Sequence, residues 1–196
     1  SFIIGKNNGS GRWQSIILYL PDWTRKTMNK KIAFLFCILA VGAILRLYKL
    51  NSNPPSLYWD EASLGYNANA IATTGHDEHG ELFPLARFIA FGDYKPPGYI
   101  YVTALFIKIF GLSEFVIRLP SALAGIAMIL LTFILVGKLT DNEAAGLTAS
   151  FLLAISPWGI QLSRAAFEAH LAACFNLIAV ISFLYADKNH QASCRF

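Results

Sequence analysis

Charged side chains are scarce in this sequence. They make up 14% of the 196 residues, whereas 55% of the residues are hydrophobic. Soluble globular domains carry roughly 25% charged residues, so this deficit excludes an ordinary soluble domain and predicts an integral membrane protein. The formal net charge is only +4, and the Lys and Arg residues form no continuous basic face. We therefore predict no nucleic-acid partner.

Cysteine is also sparse. The three cysteines, Cys37, Cys174 and Cys194, lie far apart in the chain. Cysteine-based metal sites and disulfide frameworks show characteristic spacings, and none is present here. This absence argues against both a Cys-ligated metal site and a domain stapled by disulfides.

Stretches without any charge are present instead, and they divide the chain into candidate membrane spans. The first run, 32–45, is short for a bilayer, but Arg46 can snorkel to the interface and Tyr48 extends the span to an interfacial aromatic. Three more uncharged runs follow later in the chain. A spanning helix needs about 20 residues. We predict an all-α integral membrane fold with about four transmembrane helices, at about 32–48, 117–137, 144–162 and 169–186.

The distribution of charge sets the orientation of these spans. Basic residues precede the first span, and Lys138 falls in the short turn between the second and third spans. Because cytoplasmic loops are rich in Lys and Arg, we predict a cytoplasmic amino terminus and an extracytoplasmic loop at 49–116. No small-residue cleavage site follows the first span, which favours an uncleaved helix over a signal peptide.

The outer loop, 49–116, is too long for a plain connector, and it contains two candidate helices. In the first, about 60–73, Glu61 shares a face with an apolar stripe of Leu57, Leu64, Ala68 and Ile71. The second, about 98–110, is apolar but too short to span. We predict that both are juxtamembrane helices and that the second lies on the bilayer surface. In the alternative, the second helix is a fifth crossing, which would place Arg164 and Glu168 in the cytoplasm.

Ionisable residues of this loop are candidate functional groups. Asp60 and Glu61 follow the first span closely and are flanked by aromatic residues, where a membrane enzyme can hold an acid/base group. Lys95 precedes two prolines, which fix an extended approach to the next helix and hold the amine ready for an anion. The alternative is an interfacial Lys that contacts lipid headgroups.

Three more ionisable residues, Arg118, Arg164 and Glu168, lie at the predicted outer ends of spans. Such groups at membrane depth are usually paired or functional, although an Arg at a helix end can also snorkel. All three are predicted on the same side as the groups of the outer loop. We therefore expect a shared polar cavity that offers cations for a phosphate and carboxylates for proton transfer.

Four motifs, taken together, carry a resemblance to a known family. In chain order they are Asp60-Glu61, Lys95-Pro96-Pro97-Gly98-Tyr99, Arg118-Leu119-Pro120-Ser121, and Ser156-Pro157 followed by Ser163-Arg164 and Glu168. In order and spacing, residues 28–187 resemble the amino-terminal portion of a polyprenyl-phosphate-dependent glycosyltransferase of the GT-C fold. The group they resemble most is the dolichyl-phosphate-mannose–protein mannosyltransferase family.

The resemblance implies an activity and a set of roles. A sugar would pass from a polyprenyl phosphate to an acceptor hydroxyl on the extracytoplasmic side, with inversion at the anomeric carbon. Asp60 would be the general base, and Glu61 would orient Arg118 or the acceptor. Lys95 and Arg118 would bind the donor phosphate and stabilise its leaving charge.

The resemblance also implies supporting residues and partners. Glu168 corresponds to a second acidic position, where relatives often carry Asp, and Arg164 is a candidate support. The implied partners are a polyprenyl-phosphate-linked sugar donor, a protein, lipid or glycan acceptor, and the lipid bilayer. No organic cofactor is implied, and a divalent metal stays open. His76 and His79 resemble a metal cluster, although the glycines around them are typical of a solvated loop.

Members of this family are longer and contain more helices, so we expect the chain to be an incomplete enzyme that is inactive alone. Residues 1–27 are interpreted as an extension without a discernible role and 188–196 as a tail, and a natural start at Met28 stays open. The expected location is the plasma membrane of a prokaryote. The rival hypothesis is a non-catalytic membrane subunit or polyprenyl-phosphate-binding module of the same ancestry. A small transporter is disfavoured, because the ionisable groups cluster at helix ends and not at the midplane.

Overall fold

A computed structural model describes the backbone of residues 22–193 and the side chains of residues 30–186. The predicted extension lies outside the described residues up to position 21, and the predicted tail lies outside them from 194 onward. The chain divides into two compact units, 1–37 and 38–196. The described part of the first unit is the beginning of a helix, and the candidate site belongs to the second unit.

Helices dominate the described residues. In chain order the elements are α1 (Asp22–Leu47), α2 (Trp59–Thr74), β1 (Phe88–Ala90), β2 (Asp93–Lys95), α3 (Pro97–Phe110), α4 (Glu114–Thr140), α5 (Glu143–Ile155), α6 (Pro157–Arg164) and α7 (Glu168–Ser193). The predicted all-α membrane class is confirmed. Within the described residues, one two-stranded hairpin is the sheet.

The first juxtamembrane helix, α2, forms where it was predicted. It ends at Gly75, whose φ of 76° is left-handed and whose N–H closes the last turn on the Ile71 carbonyl. Glu61 and the apolar residues Leu64, Ala68 and Ile71 are buried. The predicted stripe is therefore real, and it carries a carboxylate into the core.

A β-hairpin connects α2 to α3, and the sequence did not predict it. β1 and β2 pair antiparallel with Phe88 opposite Lys95, and the turn consists of Phe91 and Gly92. Both turn residues have positive φ, 53° and 79°. This combination defines the turn type whose twist suits a two-residue hairpin.

The second juxtamembrane helix, α3, starts with Pro97 at its first position and ends at Gly111. Its 14 residues reach about 21 Å, which is too short for the roughly 30 Å hydrocarbon core. Its inner face packs on α2 and on the beginning of α4. The buried residues of this core are Leu64, Ala68, Ile71, Phe88, Tyr99, Ile100, Ala104, Ile107, Val116, Ile117 and Ala166.

Among the described residues, two helices are long and apolar enough to cross a membrane: α4 with 27 residues and the part of α7 at Glu168–Ala186. The predicted third span, 144–162, is not one helix. It is broken into α5 and α6, which are bent by 58° and together are apolar enough to cross. Pro157 lacks an N–H to continue the ladder, and the Ser156 hydroxyl accepts from the Gly159 N–H to start a new helix. Over its described side chains, α1 is not among the helices that qualify, so the first predicted span, 32–48, stays a prediction.

Arg46, near the end of α1, does not snorkel as predicted. Its side chain is only 1% exposed. It donates to the Ser163 hydroxyl at 3.1 Å and to the carbonyls of Gly42, Ala154 and Leu153 at 3.0–3.1 Å. The Leu153 and Ala154 carbonyls lie in the last turn of α5, where backbone acceptors lack intrahelical partners. Arg46 therefore ties α1 to α5 and α6.

The space for Arg46 depends on a glycine in α4. A Cβ at Gly125 would collide with the Ser163 side chain and lie 3.0 Å from Arg46 Nε. We expect Gly125→Ala to lower the free energy of unfolding by about 1–3 kcal/mol, since both groups must shift. Gly137→Ala in the same helix is the control, because its Cβ would meet nothing within 4 Å. Thermal unfolding in detergent measures both, and equal melting temperatures would contradict this account.

Candidate active site

The amino-terminal turn of α2 positions the two adjacent carboxylates. Asp60 and Glu61 occupy its first turn, where the helix dipole favours negative charge. Glu61 Oε2 accepts a 3.1 Å hydrogen bond from the Tyr58 backbone N–H and so caps the helix. Successive residues of a helix point about 100° apart. The two carboxylates therefore have different environments.

Glu61 forms a buried ion pair with Arg118 of α4. Arg118 Nε lies 3.0 Å from Glu61 Oε1, and Nη2 lies 3.1 Å from Oε2. The two residues are 0% and 1% exposed. Glu61 Oε1 also accepts from the Ala166 N–H at 2.8 Å. This bidentate pair joins α2 to α4 and to the segment between α6 and α7.

The remaining donors of Arg118 are occupied as well. They bind the carbonyls of Leu50 at 3.0 Å, Pro54 at 2.9 Å and Ser56 at 2.7 Å. All five N–H groups of the guanidinium thus have partners within the protein. In this arrangement Arg118 has no donor left for a phosphate, and it acts by holding Glu61 and the 50–56 segment in place.

Asp60 pairs with Lys95, and this pair is accessible. Lys95 Nζ lies 2.7 Å from Asp60 Oδ1 and 3.6 Å from Asp93 Oδ2. The Asp60 and Lys95 side chains are 24% and 11% exposed. Asp60 Oδ2 has no partner among the residues described. The pair therefore leaves one carboxylate oxygen free to accept a proton.

The surroundings of Lys95 favour its charged form. The hydrogen bond from Asp60 raises the pKa of Lys95, partial burial opposes it, and the charges of Asp60, Glu168 and Asp93 raise it further. Lys95 reaches Asp60 because β2 ends at Lys95 and Pro96 is extended before α3 begins. The extended approach predicted from the two prolines is present. The hairpin, which was not predicted, directs the Lys95 side chain toward Asp60.

The two remaining predicted site residues, Glu168 and Arg164, lie in different surroundings. Glu168, in the first turn of α7, is partly buried and lies near enough for its charge to act on Lys95. Arg164, at the end of α6, is 7% exposed and donates to the carbonyls of Leu45, Tyr48 and Asn53 at 2.7–3.1 Å. Arg164 therefore joins the end of α1 and not the carboxylates, so the predicted single cluster forms only in part.

A cavity of about 790 Å³ opens beside Asp60. We call it the outer cavity; its lining includes Ser56, Tyr58, Trp59, Asp60, Gln161 and Phe167. A second cavity of about 450 Å³ is lined by Arg46, Met128, Leu153, Trp158, Phe167 and His170, among others, and we call it the apolar cavity. Phe167 lines both, so the two cavities are neighbours.

Sequence reasoning missed several residues of these cavities. Trp59 was noted only as a flank of Asp60, and Gln161 and Phe167 were not considered. Gln161 carried one signal, the one amide side chain in a predicted span whose other residues are apolar or small. Arg46 carried another, since its charge stands within helical reach of Gly42. Small residues beside a charge can mark a site where the charge is buried.

Metal-binding residues do not converge in the part of the chain that the structure describes. No group of three or more His, Cys, Asp and Glu side chains there could hold one ion. His76 Nδ1 lies 3.0 Å from the Thr74 carbonyl oxygen, and His79 Nε2 lies 3.0 Å from that of Ile89. The metal-like cluster of the sequence is thus engaged with backbone, and these residues do not fit a resident metal.

Comparison with known proteins gives this site a family context. The family model described as Dolichyl-phosphate-mannose-protein mannosyltransferase matches residues 94–193, just over half of the chain. The matched part contains Lys95, Arg118 and Glu168 but not Asp60. No solved structure matches the chain significantly.

Two relatives come from Bacillus subtilis (strain 168). The protein named Putative mannosyltransferase YkcB is 29% identical over 133 residues, which cover 66% of this chain and 17% of that protein. The protein named Putative mannosyltransferase YycA is 27% identical over 135 residues, which cover 67% and 18% respectively. The chain thus spans less than a fifth of the length of the curated relatives it matches.

The buried pair and the accessible pair should respond differently to mutation. We expect Arg118→Ala to lower the free energy of unfolding by about 3–5 kcal/mol, because it leaves a buried carboxylate and several carbonyls without partners. Lys95→Met is the matched control; its pair is partly exposed and should contribute about 1 kcal/mol or less. Thermal and denaturant unfolding in detergent distinguish the two. An Arg118→Ala protein as stable as Lys95→Met would refute the structural role of Arg118.

Proposed function

The chain belongs to the dolichyl-phosphate-mannose–protein mannosyltransferase family, and from this premise we propose that the protein is a membrane glycosyltransferase. It transfers a sugar from a polyprenyl phosphate to an acceptor hydroxyl on the extracytoplasmic face. The observation that carries the proposal is the Asp60–Lys95 pair, whose charged atoms lie 2.7 Å apart and whose Asp60 lines the outer cavity. The free oxygen of the carboxylate can take the proton of the acceptor hydroxyl, and the cation beside it can bind the phosphate of the donor.

The proposed mechanism is a single displacement. The acceptor oxygen bonds to the anomeric carbon of the donor while Asp60 Oδ2 takes the hydroxyl proton. The bond from the anomeric carbon to the phosphate oxygen breaks, and the electron pair leaves with the polyprenyl phosphate. Attack from the face opposite the leaving group inverts the anomeric carbon. The raised pKa of Lys95 keeps its ammonium charged to receive the developing phosphate charge.

Lys95 is the phosphate ligand in this mechanism. The sequence suggested Arg118 for this role beside Lys95, but Arg118 is 0% exposed and fully hydrogen-bonded. We therefore propose that Arg118 and Glu61 fix the frame and that Lys95 moves between Asp60 and the phosphate. Glu168, at the helix start opposite, is proposed to hold Lys95 near the site while it does so.

The neighbouring apolar cavity favours a second candidate, a polyprenyl-phosphate-binding subunit without turnover. Its lining of Met128, Leu153, Trp158 and Phe167 suits an isoprenoid chain whether or not transfer occurs. Such a subunit would bind the lipid equally well with and without the Asp60 carboxylate and would show no transfer in either case.

The role of Asp60 can be tested in the full natural chain. We expect Asp60→Asn to lower turnover by about 10²–10⁴-fold, as loss of a general base does, while the melting temperature stays nearly unchanged. Asp93→Asn is the control, since Asp93 is 73% exposed and only 3.6 Å from the same Lys95. Transfer of radiolabelled sugar from polyprenyl phosphate measures both variants. Wild-type turnover in Asp60→Asn would remove Asp60 as the base.

The role of Lys95 gives a second test. We expect Lys95→Met to raise the donor KM and lower kcat by about tenfold or more each, because one charge-assisted contact to the phosphate is lost. Lys108→Met is the control, as Lys108 is exposed in the last turn of α3. Steady-state kinetics at varied donor concentration separate the two parameters. An unchanged donor KM would assign the phosphate to other residues.

A further inference from the structure

Two large aromatic side chains are stacked on each other beside the proposed base. The ring centroids of Trp59 and Phe91 lie 5.6 Å apart, and their planes differ by 22°. Both are exposed, at 57% and 68%. Trp59 precedes Asp60 in the chain and lines the outer cavity with it. A stacked aromatic pair therefore lies next to the carboxylate, with Trp59 at the cavity and Phe91 packed on Trp59.

The position of Phe91 is unusual for its residue type. It occupies the first position of the two-residue hairpin turn with a φ of 53°, a conformation that side chains other than Asn, Asp and Gly rarely adopt. Asn followed by Gly is the usual choice in this turn. The backbone of the turn therefore does not explain a Phe here, whereas its contact with Trp59 does. The same hairpin delivers Lys95 to Asp60.

The other wall of the outer cavity carries an amide. Gln161 of α6 is exposed to the cavity. Its side chain has no hydrogen-bond partner in the part of the chain that the structure describes. An amide offers two donors and one acceptor group. The outer cavity thus combines an aromatic surface, a free amide and the free oxygen of Asp60.

We propose that the outer cavity binds a sugar ring and that the acceptor hydroxyl belongs to a carbohydrate, in a glycan or glycolipid. This inference rests on the proposed function and names its acceptor class. A pyranose has an apolar face of C–H groups, which suits the indole of Trp59, and a rim of hydroxyls, which suits Gln161 and Asp60. The cavity volume of about 790 Å³ is within the range of small-molecule sites. A peptide Ser or Thr side chain has no comparable apolar face for the indole.

The sugar hydroxyl held at Asp60 is the nucleophile. Its oxygen bonds to the anomeric carbon of the donor, its proton passes to Asp60 Oδ2, and the phosphate leaves with the electrons of the broken bond. Trp59, Phe91 and Gln161 take no part in bond making. They are positioning residues, so their loss should act on acceptor binding more than on the chemical step.

The experiment uses the full natural chain in nanodiscs with polyprenyl-phosphate mannose as donor. The acceptors are the methyl glycosides of mannose, glucose and N-acetylglucosamine, and a peptide that contains Ser and Thr. We expect transfer to at least one glycoside and none to the peptide. Trp59→Ala and Phe91→Asn should each raise the acceptor KM about tenfold and the donor KM by less. Trp59→Phe should restore most of the loss.

The controls separate recognition from folding and from membrane anchoring. Phe91→Asn places the preferred residue in the turn, so this variant should melt no lower than the wild type. Tyr94→Ala removes another exposed aromatic, at 61% exposure, from the same hairpin and should leave the acceptor KM unchanged. If the rings only anchor the hairpin in the lipid interface, the Tyr94 variant would change as much as the others, which would overturn the inference.

Three further outcomes distinguish this inference from the proposed function. Donor consumption with the peptide but with no glycoside would overturn the carbohydrate acceptor and leave the glycosyltransferase proposal intact. An acceptor KM for glycosides that Trp59→Ala leaves unchanged would also overturn it. If no acceptor, water included, leads to donor consumption, the proposed function itself fails.

Discussion

The buried ion pair between Glu61 and Arg118 is the interaction on which the candidate site depends. It joins α2, α4 and the segment between α6 and α7, and it draws the 50–56 segment inward through three carbonyls. Two charges out of water are stable only when every lone pair and proton is satisfied, and here they are. The pair also explains why two adjacent carboxylates have different environments. Glu61 points inward and is used up by the fold, which leaves Asp60, about 100° around the helix, to face the cavity.

Three buried arginines donate hydrogen bonds mainly to backbone carbonyls. Arg46, Arg118 and Arg164 are all nearly inaccessible, and most of their hydrogen bonds go to carbonyl oxygens. Arg118 is the one with a carboxylate partner within 4 Å in the described side chains. Buried backbone carbonyls that no helix or sheet pairs need donors from the protein. A planar guanidinium with five donors satisfies several at once, which a Lys cannot do.

The sequence predicts a large part of this architecture because its strongest signals are local. Uncharged runs located α4 and α7, spacing of three and four located α2, and Pro97 and Gly111 bounded α3. The stripe that contains Glu61 was also visible, since it depends on a helical period alone. Contacts across distance were not visible. Arg118 and Glu61 are 57 positions apart, and nothing local distinguishes an Arg that snorkels from one that binds carbonyls. The hairpin was not predicted either, because its turn contains Phe at the position where Asn is the usual signal.

The accessible pair has a consequence for the order of binding. Lys95 now holds one oxygen of Asp60 at 2.7 Å, and no second cation of the described residues stands free beside it. On the proposed mechanism, the donor phosphate competes with Asp60 for the same ammonium group. When the phosphate draws Lys95 away, both carboxylate oxygens become available to the acceptor hydroxyl. The base is then fully free only after the donor has bound, so an acceptor that arrives first meets a carboxylate that is still engaged. On this mechanism, one lysine at the end of the hairpin couples recognition of the leaving group to activation of the nucleophile.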